Sequence, residues 1–433
     1  MNWFKLAQNN PLLRNKPYLA LMSSQLIANL GEWIYLLALL NLVGLKWLAS
    51  PLEITALMLC MVIPMLVGGP LAGMLADKID RKKLMILSDI ARVVIVLGLV
   101  LASEMAQVYA LLIAKSLFDV LFSPAKNGKL KEIVPSEHLE QAVSYSAIIE
   151  QGSKILGPAL GGLLTAAFGI TACFMINSGA FMISAIILVL VPGKLVKPDI
   201  LSSDSSIATE PAIKTTFWNE FTAGIRIIAG IPVIAWGLLT LAIVLLVLQI
   251  ADSQLIVLFR DLPNMDESLL GWCIALSGFG TLTAAVLIRM LREWSLLAKM
   301  GSGGAVMGLV FAGAAALTLY GPFNSFGHFL MIGAFFVAGL GAGATFIPFQ
   351  VTLQQRTPEQ YTGRVFGTVT SVMSTASVIG PLCGGFLVTA FGAPLAFFLS
   401  GGIMFMIAIV LLLFKNSIMQ RREHIPANQT ETA

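Results

Sequence analysis

The sequence is poor in charged residues. Only 12% of its 433 residues are charged, about half the share found in ordinary soluble domains, whereas 57% are hydrophobic. This deficit excludes an ordinary soluble enzyme and a disordered protein. The formal net charge of +4 is too small and too dispersed for a phosphate-binding surface, so a nucleic-acid partner is excluded as well.

Cysteine and histidine are also scarce, with four and three residues. Each cysteine stands alone inside an apolar run, where a free thiol acts as a small packing residue. The histidines are isolated from one another. We therefore expect no metal site, no cofactor and no catalytic residue. A membrane-embedded enzyme or receptor is the alternative of another class, and an enzyme of that kind would need converging catalytic groups.

Long apolar runs dominate the chain, and strand periodicity appears nowhere at useful length. Twelve runs approach the length of about 20 residues that a membrane-spanning helix needs. The sequence therefore predicts an all-α polytopic membrane protein of twelve transmembrane helices whose partner is the lipid bilayer. The predicted spans are 18–43, 53–75, 84–103, 106–123, 141–166, 170–191, 232–258, 269–290, 301–320, 326–348, 363–390 and 393–414.

The lysines and arginines predict the orientation in the membrane. Of these 27 residues, all but five fall on one side of the predicted bilayer. Lys46 and Arg260 fall on the other side, and three cations lie within spans. The positive-inside rule places both termini in the cytoplasm. A multi-pass protein of a bacterial cytoplasmic membrane, acting as a monomer, is expected, and its first span is too long to be a cleaved signal peptide.

One long polar stretch, about 192–217, divides the spans into two groups of six. We expect an N-terminal bundle over 1–191, a cytoplasmic linker over 192–231 and a C-terminal bundle with a cytoplasmic tail over 232–433. The apolar positions of 217–229 recur at helical spacing and favour an amphipathic helix on the membrane surface. A plain extension of the seventh span is the alternative.

An internal repeat relates the two halves at an offset of 223 residues (380 − 157). The repeated elements are Gly157-Pro158-x-x-Gly161-Gly162 with Gly380-Pro381-x-x-Gly384-Gly385, and Phe168-Gly169 with Phe391-Gly392. Repeats of six helices place a substrate path at their interface, and rocking of the halves gives alternating access. A proline bend beside close-packed glycines can gate that path. Ordinary helix packing is the alternative.

Ionisable residues inside spans are costly and are functional candidates by default. Glu32 lies near the middle of the first span, on one helical face with Gln25 and Asn29. We expect Glu32 to carry a coupling proton or to bind a cationic part of the substrate, with Lys115 or Lys154 as the facing cation. The full set of proton-coupling or substrate candidates is Gln25, Asn29, Glu32, Lys115, Asp119, Glu150, Lys154 and Asp252.

Two same-helix pairs have a structural alternative. Glu150 and Lys154 are four residues apart, and Asp89 and Arg92 are three apart, so both pairs can form ion pairs that only hold helices together. The second half is poor in such groups, with Asp252 as the main one. This asymmetry predicts proton chemistry in the first half and apolar substrate contact in the second.

Several motifs resemble the major facilitator superfamily. The loop after the second span, from Gly73 through Asp77, Asp80 and Arg81 to Lys83, looks like its signature loop, and the run from Gly152 to Gly162 resembles its antiporter motif. Other short pieces look like its macrolide-efflux-like, drug:proton antiporter branch. Lys115 stands where the branch has an arginine. The resulting gate candidates are Gly73, Asp77, Arg81, Asp89, Arg92, Gly157, Pro158, Gly161, Gly162, Gly380, Pro381 and Gly384.

The resemblance implies a function for the whole chain. It implies a secondary transporter that exports amphipathic small molecules, such as drugs or macrolide-like compounds, by proton antiport without ATP. Consistently, the sequence has no Walker-type phosphate loop. The cations of the signature loop either latch neighbouring helices or only set the topology. Lysophospholipid or siderophore transport by the same fold, and uptake instead of export, stay open.

Overall fold

The computed structural model describes residues 11–193, 217–260, 262, 267–288, 290–291, 293–320, 325–357 and 362–419. Every regular element within these ranges is helical, as the sequence predicts. Most of the predicted linker, residues 194–216, lies outside the described residues, as do residues 1–10 and 420–433 of the termini. The chain divides into two compact units.

Fourteen α-helices cover the described part of the chain. Those of the first half are α1 (Pro11–Arg14), α2 (Lys16–Leu40), α3 (Pro51–Lys78), α4 (Arg81–Leu101), α5 (Met105–Ile133) and α6 (Leu139–Val189). Those that follow are α7 (Phe217–Gly230), α8 (Pro232–Asp252), α9 (Leu255–Arg260), α10 (Glu267–Leu287), α11 (Leu296–Tyr320), α12 (Ser325–Arg356), α13 (Thr362–Phe391) and α14 (Ala393–Met419). A π-helix, Asn41–Lys46, continues α2, and a short 3₁₀ turn, Ser136–His138, precedes α6.

The helices confirm the predicted membrane fold. Eleven described segments are long and apolar enough to cross a bilayer. The predicted fifth span, 141–166, is not among these eleven, but it coincides with the first half of α6. Each of the twelve predicted spans therefore overlies a helix.

Local sequence signals fix where the helices start. Ser50 and Glu53 form a reciprocal capping box at the start of α3. The Asp80 carboxylate accepts hydrogen bonds from the backbone of Lys82 and Lys83 at the start of α4. A helix covers the predicted amphipathic stretch as α7, and Ile231, with φ −117° and ψ 88°, interrupts the helical backbone before α8.

Two glycines at equivalent positions of the repeat turn the chain between consecutive spans. Gly169 has φ +80° and breaks α6 into two helical halves, and Gly392 has φ +79° between α13 and α14. Positive φ values favour glycine because it has no Cβ. The repeated Phe-Gly pair thus marks the same tight turn in each half of the sequence.

The first unit comprises Met1–Pro198 with Phe259–Gly278. In it, α2 packs on α6, α3 packs on α5, and α4 packs on both α5 and α6. Residues 78–83 and 126–138 lie at one end of these helices, which we call the cation-rich end. The opposite end, where α2 passes into the π-helix and Gly169 turns the chain, is called the cation-poor end.

The second unit comprises Asp199–Leu258 with Phe279–Ala433. Small residues let its helices approach closely. Gly303 of α11 touches the backbone of Gly341 in α12, and Gly308 of α11 touches that of Gly401 in α14. This is the packing expected of helices in lipid, where association relies on close van der Waals contact.

Candidate functional site

A cluster of five charged side chains lies inside the first unit, built on three helices. The Lys115 ammonium of α5 bonds both carboxylate oxygens of Glu32 in α2, at 2.7 and 2.9 Å. It also bonds Asp119 one turn along α5, at 3.0 Å. Lys115 therefore joins two carboxylates from different helices.

Arg92 of α4 extends the cluster. Its Nε lies 2.8 Å from Asp119, and its Nη1 donates to Asp89 at 3.0 Å. The second oxygen of Asp89 accepts a 2.6 Å hydrogen bond from the Ser184 hydroxyl in the second half of α6. The result is one continuous chain of contacts from Glu32 through Lys115, Asp119 and Arg92 to Asp89. We call these five residues the charged cluster.

Aromatic rings enclose the two cations of the charged cluster. Arg92 lies 4.6 Å from the ring centre of Phe122 and 5.2 Å from that of Phe181. Lys115 lies 4.9 Å from the ring of Tyr35 and 5.7 Å from that of Phe181. Rings at these distances attract cations.

The exposed fraction of the carboxylate side chains increases along the charged cluster, from Asp89 to Glu32. The Asp89 side chain is fully buried, that of Asp119 is 24% exposed, and that of Glu32 is 35% exposed. Three carboxylates face two cations, so the fully ionised cluster carries a formal charge of −1. Glu32 is the carboxylate most open to exchange with its surroundings.

The other predicted polar residues whose side chains the structure describes do not join this cluster. Gln25 is buried in a separate network, where it accepts a hydrogen bond from the Ser146 hydroxyl at 2.8 Å. Asn29 is half-buried, and Glu150 is exposed. The side chain of Lys154 lies outside the described residues.

In the second unit, Asp252 is the last residue of α8, and its side chain is exposed. Gln249, one turn earlier, donates to Ser377 of α13 at 3.2 Å. Among the described residues no group of three His, Cys, Asp or Glu side chains has the arrangement of a metal site.

The signature-loop arginine ties three helices together at the cation-rich end. Arg81 donates to Glu132 at 2.9 Å, to the Gly128 carbonyl at 3.1 Å and to the Ala76 carbonyl at 3.4 Å. The fully buried Lys129 bonds the other oxygen of Glu132 at 2.7 Å. Gly73 has open space at the position of a Cβ, and the side chain of Asp77 lies outside the described residues.

The repeated glycines sit against the first helix of their own half. A Cβ on Gly157 would overlap Trp33 of α2, and one on Gly161 would lie 3.1 Å from the Ile34 backbone. Gly162 instead touches the backbone of Gly271 in the first unit. Replacing any of the three would force packed backbone or a large ring to move.

The equivalent glycines of the second half repeat this arrangement inside the second unit. A Cβ on Gly380 would overlap Gln249 of α8, and one on Gly384 would overlap the Ile250 carbonyl. Pro381 lies inside α13, and Pro158 lies inside α6 with its side chain outside the described residues. The repeat is therefore visible in packing as well as in sequence.

An apolar cavity of about 240 Å³ lies within the second unit, between α10, α11 and α12. Ser302 is the one residue of its lining with a polar side chain; the others are glycine, alanine, valine, leucine or isoleucine. The first unit thus concentrates charge, whereas this part of the second unit offers apolar surface.

Removing the central arginine should destabilise the first unit. In Arg92→Leu, Asp89 and Asp119 each lose one ion-pair partner. An uncompensated buried charge lowers the free energy of unfolding by about 3–5 kcal/mol. We expect a lower unfolding temperature in detergent, followed by intrinsic tryptophan fluorescence. Arg226→Leu, at an exposed arginine of α7, is the control and should unfold like the wild type. Equal unfolding temperatures for all three proteins would contradict this assignment.

Sequence reasoning named all five cluster residues but treated Asp89 and Arg92 as a separate pair. It missed Ser184, Tyr35, Phe122 and Phe181, because a serine or an aromatic residue in a span carries no signal of what it faces. It also missed Lys129 and Glu132, although their spacing of three residues could have indicated an ion pair.

Comparisons with known proteins point to one family. The profile described as Major Facilitator Superfamily matches residues 21–311 and 264–432. An "Uncharacterized MFS-type transporter YfiS" of Bacillus subtilis (strain 168) is 42% identical over 95% of this chain and 96% of its own. "Macrolide efflux protein A" of Streptococcus pyogenes is 25% identical over 80% and 84% of the two chains.

Solved structures agree on the fold. The crystal structure of a mutant of the nucleoside transporter NupG superposes with a TM-score of 0.69 at 14% identity, covering 92% of this chain and 99% of that one. At that identity the likeness concerns the fold alone.

Proposed function

Because this chain belongs to the major facilitator superfamily and is a membrane transporter rather than an enzyme, we propose that it exports amphipathic small molecules in exchange for protons. The fold supplies two units built on equivalent helix packing, which suits alternating access. The charged cluster supplies the chemistry for coupling.

The observation that carries the proposal is the excess of one carboxylate in the charged cluster. A net charge is expensive in a low-dielectric interior. One proton, or one cationic substrate group, neutralises the formal charge of −1. The cluster can therefore hold either of the two, and mutual exclusion of proton and substrate is what antiport requires.

Glu32 is the carboxylate that exchanges. Asp119 lies between two cations, and Asp89 is fully buried with bonds from Arg92 and Ser184. Among the cations that the structure describes, Glu32 is bonded by Lys115 alone. When Glu32 takes up a proton, Lys115 keeps its contact with Asp119, so protonation at this position disturbs the fewest contacts.

The substrate class follows from the charged cluster and from the relatives. The partly exposed carboxylate of Glu32 suits a cationic or polar group of the substrate. The name of the Streptococcus pyogenes relative indicates efflux of macrolides by that protein. We extend export to this chain, with both termini in the cytoplasm of a bacterial cell and a single copy as the working unit.

Transport into inverted membrane vesicles tests this function. The panel contains macrolides, lipophilic cations, a lysophospholipid and a siderophore, each with and without an uncoupler, and vesicles lacking the protein are the control. We expect a macrolide or a lipophilic cation to accumulate only while the proton gradient persists. Accumulation that an uncoupler leaves unchanged would contradict proton antiport, and accumulation of the lysophospholipid or siderophore alone would contradict the substrate class.

A further inference from the structure

Helix α2 packs along both halves of α6, and pairs of contacting residues show the direction of each half relative to α2. Gln25 bonds Ser146 and Gly157 meets Trp33 in the first half, so these segments run parallel. In the second half, Gly31 touches Ala180, and Tyr35 meets Phe174 at a ring distance of 5.9 Å, so these segments run antiparallel. Advancing from Glu32 along α2 therefore leads toward Gly169 and the cation-poor end.

Five buried polar atoms on α2, on the π-helix that continues it and on the second half of α6 have no hydrogen-bond partner among the described residues. They are Nδ2 and Oδ1 of Asn177, Oγ of Ser178, the hydroxyl of Tyr35 and Oδ1 of Asn41. Asn177 and Tyr35 are fully buried, and the other two residues are at most 4% exposed. A buried polar group without a hydrogen bond destabilises the fold, and bound water is the usual partner in such places.

These atoms begin beside the charged cluster. Asn177 lies against Gly31, the neighbour of Glu32, and the Tyr35 ring faces Lys115. Asn41 opens the π-helix at the far end of α2, and such local widenings recur at functional sites. At 1.5 Å per residue, Glu32 and Asn41 are about 14 Å apart along the helix axis, a gap that about five hydrogen-bonded waters span.

We propose that water binds between α2 and the second half of α6 at these polar atoms and carries protons between the cation-poor end and Glu32. A proton crosses by transfer from one oxygen to the next, so each water that accepts a proton passes one on and no atom other than hydrogen moves. The ring of Phe174, 5.9 Å from that of Tyr35, is an apolar neighbour of this route. The inference rests on the proposed proton exchange, and it separates the proton's route from that of the substrate.

Two conservative variants test the route. Tyr35→Phe removes one hydroxyl and keeps the ring on Phe174, and Asn177→Leu keeps the volume and removes the amide. Ser153→Ala is the matched control, since Ser153 also has a buried hydroxyl without a partner but lies on the other side of Glu32 in the register of α6. Proton-driven accumulation and substrate exchange at equal pH are measured for each.

We expect Tyr35→Phe and Asn177→Leu to slow proton-driven accumulation by about tenfold or more, with exchange close to that of the wild type. Ser153→Ala should match the wild type in both assays. A parallel fall of driven transport and exchange would show a packing defect and overturn the route. Unchanged driven transport in both variants would overturn it as well.

Hydroxyl-radical footprinting tests the bound water without any transport assay. Radicals formed from bound water oxidise adjacent side chains, so Tyr35 and Phe174 should be modified although both are at most 1% exposed. Phe349, equally buried in an apolar core of the second unit, is the dry control. If Tyr35 and Phe174 are as unreactive as Phe349, the water file does not exist. If Tyr35 and Phe174 react but the wild type shows no proton-driven transport, water is bound there, but the proposed function and the role of this water in proton transfer are both wrong.

Discussion

Glu32→Gln is expected to abolish proton-driven accumulation, while substrate exchange persists at a higher substrate concentration. Glutamine keeps the shape of the side chain and makes the charged cluster permanently neutral, as if the proton never left. The loss of a proton-transferring group in an enzyme typically costs about 10²–10⁴ in rate, so we expect a loss of at least about a hundredfold here. Exchange of labelled for unlabelled substrate needs no titration and should persist. It should need more substrate for the same rate, because the variant lacks the excess negative charge that attracts a cationic group.

The control for this variant is a carboxylate of the same unit outside the cluster. Glu137→Gln alters an exposed side chain in the 3₁₀ turn before α6 and should transport like the wild type. Accumulation by Glu32→Gln that stays normal and sensitive to an uncoupler would refute the role of Glu32. Asp119, Glu150 and Asp252 would then be the carboxylates to replace.

The second large effect is expected at the repeated glycines. In Gly161→Leu the new side chain would start 3.0 Å from Leu37 and 3.1 Å from the Ile34 backbone. Because α2 and α6 pack against each other, the larger side chain should push the two helices apart next to Pro158. We expect transport to fall below about a tenth of the wild type, a loss equivalent to more than about 1.4 kcal/mol, with the amount of protein in the membrane unchanged.

The same helix supplies a matched control. Gly152 of α6 has no neighbour within 4 Å of a built Cβ, so Gly152→Leu should retain transport. In the second unit, Gly384→Leu and Gly367→Leu form the equivalent pair, since a Cβ on Gly384 overlaps the Ile250 carbonyl and Gly367 has open space. Equal transport by Gly161→Leu and Gly152→Leu would show that the motif serves only ordinary helix packing and does not form a gate.

The sequence predicts the helical architecture because each segment that crosses the lipid must itself be apolar and helical. Apolar length determines the spans, and the Phe-Gly pairs mark the turns whose positive φ the structure shows at Gly169 and Gly392. Glycines within a proline-containing motif likewise predict close helix contact. These signals are local, so they can be read without knowing which helices are neighbours.

The assembly of the charged cluster is not local. Glu32, Arg92 and Lys115 lie on three helices, and their meeting depends on how each helix is rotated and on which helix it packs against. A helical face groups Gln25 with Glu32, yet packing directs Gln25 to Ser146. Seams lined by Tyr35 and Asn177 are invisible to sequence reasoning for the same reason.

Proton release on substrate binding tests the central claim most directly. The purified protein is mixed with a substrate identified in the vesicle assay, in weakly buffered solution with a pH indicator. If substrate and proton compete for the one excess carboxylate of the charged cluster, the wild type should release up to about one proton per bound substrate, and more as the starting pH is lowered. Glu32→Gln should bind the substrate more weakly and release no proton. Binding by the wild type without proton release at any pH between 5 and 8 would contradict the account.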